Sequence, residues 1–518
     1  MSTPLNRCLS WWHLTFFGVG QMAGAGVYVL TGTVVATTTG PATFISYIIA
    51  GVCAFLAALC YAEFGARCPK AGSAYTYAYV TIGELLGFTI GWNLLLEHSI
   101  GAASTARAWG GALNSLTNNA IRNWTLTYVG EFELFGSKQY PDIFAVLVIV
   151  LLSGIVLYGA KFSMTVTAII TIINVFATAM IVTVGLSLAD VNNWTQPDGF
   201  APNGVTGIIS GAAVLFYAYV GFDAIAMAGE EAKNPAKSLP IANMLSILIV
   251  MVFYVSMSIA LTLAVPYNMV DTDAAFSSAF GRAGMHWAKV LVNVVTLIVI
   301  QGSTISALYA GPRCSYSMAS DGLMFRCFAY VHPKTQTPMV SILVFSTVSA
   351  VSALLLDLET LAEFVSLGTL MASFFVSGCV IILRYRGESD TEITTSTAHE
   401  VTPLTSSQSL SVDNVNKTRY GQLKPAFQNI PWLSRFEAGL AVKYAVVLLG
   451  VCLLAGLAMM LYRWGEVWLW YQYVGVSLCG LGLLLAYIVI IMHVQNQSST
   501  TFQVIIGAGT AYYFHANV

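Results

Sequence analysis

The sequence predicts an all-α, polytopic membrane protein, and three observations predict it. Charged residues make up 9% of the chain and apolar residues 57%, whereas a soluble domain carries roughly 25% charge. Apolar runs of about 20 residues, each the length of one bilayer crossing, recur about a dozen times. Two of these runs, the first and the sixth, are interrupted by glycine. The length therefore reads as repeated crossings and not as several soluble domains. The net charge of −2 gives no large polyanion, such as nucleic acid, as a partner.

The first interruption is GVGQMAGAG, Gly18 to Gly26. Each interior glycine costs a helix roughly 0.5–1 kcal/mol relative to alanine, so four in nine residues suggest a helix meant to break. Freed backbone groups at membrane depth must then face protein, water or a ligand. Taken alone, the run also suits a close-packing face, because Gly20 and Gly24 form a GxxxG. The second interruption is FYAYVGFDAIAMAGEE, Phe216 to Glu231, where Gly221 and Asp223 break an apolar span. An acid inside a membrane helix is expensive and usually functional. Paired glycine-broken spans at matching places in two halves of a chain point to the binding site of a secondary transporter.

In order, the spans are expected near 13–37, 41–65, 83–106, 141–159, 164–188 and 205–229, then 240–265, 287–310, 338–357, 363–384, 440–462 and 467–492. With the N-terminus inside, sixteen of the 22 Lys and Arg residues fall on the cytoplasmic side, which satisfies the positive-inside rule. The organisation is then a short cytoplasmic N-terminus (1–12), a ten-span core (13–386), a polar cytoplasmic loop (387–438) too poor in apolar residues to fold alone, two further spans (439–493) and an atypical tail (494–518). The first ten residues carry no cleavable signal pattern, so the first span is expected to direct its own insertion. The sequons at Asn123 and Asn193 fall in expected outer loops and are candidate glycosylation sites. None of the nine cysteines does, so no disulfide-linked partner subunit is expected.

No metal-ligand cluster, phosphate loop or nucleophile–base pair is visible, so neither an enzyme nor a cofactor is expected. The acid weighed most is Glu97. It lies thirteen residues past Glu84, about 20 Å along a helix rising 1.5 Å per residue. A carboxylate at that depth is protonated or paired. It either faces a substrate's cationic side chain or hydrogen-bonds span 8 or 10. Ser303, Thr304 and Ser306 in span 8 could line a side-chain pocket. Glu63, Glu230 and Glu231, near cytoplasmic ends, are expected to pair with Arg67 and Lys233 in an inner gate.

The motifs GVGQMAGAGVYVLTG, LCYAEFGARCPKAGSAY, GELLGFTIGWNLLLEHSIG, FYAYVGFDAIAMAGEEAKNP and MASDGL resemble the cationic amino acid transporters of the amino acid–polyamine–organocation superfamily. The similarity runs from about Arg7 to Arg386 and more weakly beyond. It implies a five-plus-five inverted-repeat core with spans 1 and 6 unwound around the substrate. It also implies secondary transport of arginine, lysine or ornithine by alternating access, with a non-transporting amino acid sensor as the alternative. Its substrate contacts would fall on Met22, Ala25 and Gly26 in span 1 and on Tyr217, Val220 and Asp223 in span 6; Gly24 and Ser303 are expected in the same site. N–H groups opening the second half of span 1 would receive the α-carboxylate, and carbonyls near Tyr217 to Val220 the α-ammonium. At Gly26 a positive φ and the approaching carboxylate are both expected to exclude a side chain.

Two positions depart from the family pattern. Ala25 stands where a hydroxyl is usual. Asn174 stands where proton-coupled relatives carry lysine; an asparagine cannot titrate, which points to a voltage-driven uniporter, and the alternative role for Asn174 is an interhelical hydrogen bond. The resemblance implies the plasma membrane, or alternatively an endolysosomal membrane. Relatives continue past TFQV (501–504) into two more spans, so the tail here reads as an alternative or truncated end.

Overall fold

The computed structural model describes residues 5, 7–117, 120–134, 137–195, 199–272, 274–385, 423, 439–461 and 470–493. The expected polar loop and tail therefore lie outside the described residues, apart from Leu423. The regular structure among the described residues is helical apart from one short antiparallel hairpin and two isolated bridges, Leu9 with Ala232 and Leu423 with His493. The hairpin strands, β1 (Phe132–Leu134) and β2 (Ser137–Gln139), place Phe132 opposite Gln139.

The first span is α1 (Trp11–Met22), a break at Ala23 and Gly24, a π-helical turn (Gly26–Leu30), the single turn α2 (Thr31–Val34) and a second π-turn (Val35–Thr39). Then come α3 (Thr43–Arg67), the short α4 (Ala74–Thr81), α5 (Glu84–Leu116), α6 (Ala120–Tyr128), α7 (Ile143–Tyr158) and α8 (Ala160–Ser187). The sixth span is split into α9 (Gly204–Leu215), a 3-10 turn (Phe216–Tyr219) and α10 (Phe222–Met227). The rest is α11 (Pro235–Ala264), α12 (Ala275–Arg282), α13 (His286–Ser320), α14 (Met339–Leu355), α15 (Leu358–Arg384), α16 (Leu440–Leu461) and α17 (Trp470–Met492).

Six described helical stretches are long and apolar enough to cross a membrane, the first running unbroken in that measure from Trp11 to Arg67. α7, α14 and parts of α16 and α17 are apolar but shorter. α5 has the length and not the hydropathy, because Asn93, Glu97, His98, Arg107 and Asn114 all lie on it. A helix that polar is tolerable only if its polar face is turned into protein. Glu97, His98 and Arg107 are indeed buried.

The chain divides into two compact units. In the larger, residues 1–79 and 83–376, α13 packs along α5 and α8, and α11 packs along α3, α1 and α8. The smaller unit holds α16 and α17, which pack against each other. Everything described below lies in the larger unit. There α1 sits among α8, α10, α11 and α13, and its glycines explain how closely. A Cβ on Gly18 would lie 2.4 Å from Ile225 Cδ1, and one on Gly20 would lie 2.6 Å from Thr171 Oγ1. The glycine run thus does both jobs, packing in its first half and breaking in its second.

Candidate functional site

Breaking α1 at membrane depth takes three carbonyls out of the helical ladder; three other helices supply side-chain donors, and the Gly24 N–H also donates to the Met22 carbonyl at 2.8 Å. Ser303 Oγ of α13 donates to the Gly20 carbonyl at 3.0 Å. Tyr254 Oη of α11 donates to the Met22 carbonyl at 2.7 Å. Asn174 Nδ2 of α8 donates to the Ala23 carbonyl at 2.9 Å. The Asn174 amide is used at both ends, since its Oδ1 accepts from Tyr28 Oη at 2.7 Å. Asn174 is therefore the clamp on the span 1 break.

The second break lies alongside the first. Val220 is extended, with φ −62° and ψ 134°, and Gly221 has φ 123°, a conformation only glycine adopts readily. Glycine is also demanded there by space, since a Cβ would lie 2.1 Å from Gln21 Cγ. Tyr254 Oη lies 2.8 Å from the Ala218 carbonyl as well as 2.7 Å from that of Met22, so one hydroxyl serves both breaks. Gly26 belongs to a helical turn and does not have the positive φ expected of it. Its glycine is required by contact instead, because a Cβ there would lie 2.5 Å from Ala218 Cα.

Between the breaks is a cavity of about 30 Å³ lined by Gln21, Met22, Ala25, Gly26, Tyr217, Val220 and Ser303, closed by Gly101, Thr105 and Val365. That is room for a few waters, so an amino acid enters only when these helices part. Of the expected substrate contacts, Met22, Ala25, Gly26, Tyr217, Val220 and Ser303 line this space, and Gly24 lies behind Ser303, whose Oγ would be 1.9 Å from a Cβ built there. Tyr217 Oη is tied to Ser104 Oγ at 2.7 Å. Thr304 bonds Thr105 at 2.9 Å, fastening α13 to α5, and Ser306 is turned back onto Gly302. Neither of these last two hydroxyls lines the cavity.

Sequence reasoning missed Gln21. Its Oε1 is buried in the cavity wall and accepts no hydrogen bond from the protein. An amide within a glycine-rich membrane segment was the available signal.

Glu97 and Asp223 do not line the cavity. They lie beneath it. Glu97 is one helical turn from Gly101, and Thr369, which hydrogen-bonds Glu97 Oε1, is one turn from Val365. Of the two structural partners expected for Glu97, span 10 supplies the bond. Its Oε2 has no protein partner. Asp223 Oδ2 is 3.2 Å from His98 Nε2, both side chains being almost fully buried.

At the other end of the larger unit, Arg67 pairs with Glu63 at 2.9 Å. Glu230 accepts from the Ala71 N–H at 3.1 Å. Glu231 is paired with Arg313 at 3.4 Å and also accepts from Tyr309 Oη, so its cation is not the expected Lys233. Lys233 instead offers its backbone, donating to the Leu9 carbonyl at 2.8 Å, while the Leu9 N–H donates to the Glu231 carbonyl at 3.0 Å. Arg313 is 0% exposed, and its guanidinium lies 3.7 Å over the Tyr309 ring. Outside the core, Asn123 lies exposed on α6, and Asn193 Nδ2 donates to the Leu263 carbonyl at 2.7 Å.

Residues 13–395 match the family of amino acid permeases. A Mus musculus protein named cationic amino acid transporter 4 is 40% identical over 522 residues, covering 97% of this chain and 81% of its own. The Homo sapiens protein of the same name gives the same figures. An Arabidopsis thaliana protein named cationic amino acid transporter 4, vacuolar, is 39% identical over 384 residues, covering 74% of this chain and 64% of its own. The chain belongs to the cationic amino acid transporters of the amino acid permease family. As such it is a multi-pass membrane transporter of amino acids and not an enzyme. An amino acid is its small-molecule partner and the bilayer its surroundings.

Proposed function

We propose that the chain carries cationic amino acids, with arginine, lysine and ornithine as candidates, by alternating access in a five-plus-five inverted-repeat core. The observation that carries this reading is the shared seat of the two breaks, one tyrosine bonded to both and one small cavity lined by both. The first N–H groups of the helical turn after Gly24 have no partner one turn back. They face the cavity at Ala25 and Gly26 and receive the α-carboxylate. With alanine at 25, no side-chain hydroxyl adds to that capture. The α-ammonium is left to the carbonyls around Tyr217 and to the unpaired Gln21 Oε1. Gly101 carries no side chain to bar the way from the cavity to Glu97, and a Cβ there would reach only Val365, at 3.9 Å. When the helices part, a lysine or arginine side chain passes it to reach the free Glu97 oxygen.

Transport in this proposal is voltage-driven uniport. Asn174 is neutral at every pH and already committed to Ala23 and Tyr28. A net +1 substrate still accumulates, because one charge across 100 mV is worth about 2.3 kcal/mol, or roughly 50-fold at about 1.4 kcal/mol per tenfold. Such a carrier serves a plasma membrane, and the same chemistry would serve an endolysosomal one. The test is radiolabelled uptake into vesicles reconstituted with the full chain. A potassium diffusion potential, negative inside, should drive arginine accumulation at equal pH. A pH gradient with the potential clamped at zero should drive none. Accumulation under the pH gradient alone would overturn uniport, and no uptake of any cationic amino acid would overturn the substrate class.

A further inference from the structure

Two carboxylates and one imidazole are buried together beneath the cavity floor. Glu97, His98 and Asp223 are each no more than 3% exposed. His98 Nε2 lies 3.2 Å from Asp223 Oδ2. Glu97 is near enough to Asp223 for the two charges to act on each other. Among the described residues no lysine or arginine forms an ion pair with either acid, since Arg67, Arg107 and Arg313 pair with Glu63, Asp142 and Glu231. His98 is thus the cluster's internal cation, present only when its ring is protonated.

The arginines on the helices around the cluster, Arg67 of α3 and Arg313 of α13, are paired with Glu63 and Glu231. Tyr61 of α3 and Cys314 of α13 lie within electrostatic reach of both carboxylates, and both are neutral at physiological pH. Asp223 comes from α10, and α15 presents Thr369, while its Glu363 is exposed. α14 carries no titratable side chain, and Tyr158 of α7 is exposed.

We propose that His98 is a specificity-determining residue, whose protonation decides whether the Glu97–Asp223 pair accepts the cationic side chain of a substrate. With a neutral imidazole, two carboxylates share no internal cation, and an arriving guanidinium or ammonium supplies one. With an imidazolium, Asp223 is already paired and the arriving cation meets a like charge. Protonation weakens cationic substrates selectively, while a neutral isostere is little affected. This rests on the proposal that Glu97 receives the substrate's side chain. Because coupling is reciprocal, arginine binding must expel the proton by the same factor; the protonated carrier does not turn, so the proton leaves to the side it came from and uniport is kept. Imidazole is the side chain whose ordinary titration falls between about pH 5 and 8, which sets the range to search.

The test uses the full chain in vesicles with equal pH on both sides and the potential clamped at zero. From about pH 7.5 to about pH 5.5 the KM for arginine should rise roughly tenfold, with kcat little changed. Inhibition by citrulline, the neutral isostere of arginine, should shift by less than about twofold. His98→Gln keeps a polar group beside Asp223 and should hold the arginine KM near its pH 7.5 value throughout. Should that variant fail to fold, arginine added to the unaltered protein in weak buffer must still release protons, and citrulline must not. A pH response retained in His98→Gln, or arginine binding without proton release, overturns the proposal. Loss of arginine uptake selectively in Glu97→Gln would leave the substrate reading standing even then. Absence of arginine binding at every pH would remove the substrate reading, and this proposal with it.

Discussion

Gly26 and Ala218 touch backbone to backbone, so closely that a Cβ on Gly26 would lie 2.5 Å from Ala218 Cα. The obstructing atom is main chain and cannot swing aside. Gly26→Ala should therefore lower arginine uptake by at least about tenfold while the protein still reaches the membrane, since forcing bulk into a packed interface costs about 1–3 kcal/mol. Gly111→Ala, at a site with open space around it on α5, is the control and should transport normally. Normal uptake by Gly26→Ala would separate the two breaks functionally.

Tyr254→Phe removes the one hydroxyl that serves the Met22 and Ala218 carbonyls. The Ala218 carbonyl loses this donor and the Met22 carbonyl keeps only the Gly24 N–H, at a cost of about 1–3 kcal/mol for the one hydroxyl proton removed. A lowered thermal midpoint in detergent and reduced uptake are expected together. An unchanged midpoint would mean that another donor replaces it.

Asn174→Asp gives a pH test of the clamp. A protonated carboxyl can donate to the Ala23 carbonyl while accepting from Tyr28, whereas a carboxylate can only accept. Transport by this variant should be present below the pKa of the new carboxyl and lost as pH rises through it. Uptake measured against the unaltered protein over that range decides it, and a flat ratio would show that the donation to Ala23 is dispensable.

Glu97→Gln should weaken arginine and lysine more than neutral amino acids, by about tenfold or more if one charge pair is lost. Thr369 keeps a partner in the amide oxygen. Equal loss for all substrates would make Glu97 structural.

Arg313→Leu strands Glu231 without its cation in a fully buried place. Breaking such a pair costs about 3–5 kcal/mol, whereas replacing both members is often nearly neutral. Poor expression and a low thermal midpoint are expected for the single variant, with recovery in Arg313→Leu combined with Glu231→Leu. No recovery would point to the Tyr309 contacts as the larger part.

The two breaks were legible because glycine and an acid inside apolar runs contradict the spans that contain them. Their donors were not. Tyr254 and Ser303 read as ordinary residues of apolar helices until folding brings them to carbonyls far away in the chain. His98 carries no mark of its own among the seven histidines of the sequence, although its neighbour is the acid weighed most. Arg313 was counted as a loop charge because span 8 was ended near residue 310. The helix continues to Ser320 and buries it completely. At Gly26 the residue was identified and the reason was not, since space between chain segments distant in sequence leaves no local mark.

The two backbone hydrogen bonds that pair Leu9 with the strand-like step at Glu231 to Lys233 close the chain into a ring. Within that ring, α1 and α10 are not two free rods but members of one closed linkage. Their ends on the Leu9 side share a hinge there, and their broken middles share another at Tyr254. A linkage pinned at two points keeps a rotation about the line through the pins and loses independent sliding of either rod. Any opening toward the Leu9 side must therefore rotate both half-helices together or unzip that pairing first. A spin-label pair spanning the Leu9–Ala232 bridge would tell a hinge that turns from one that opens.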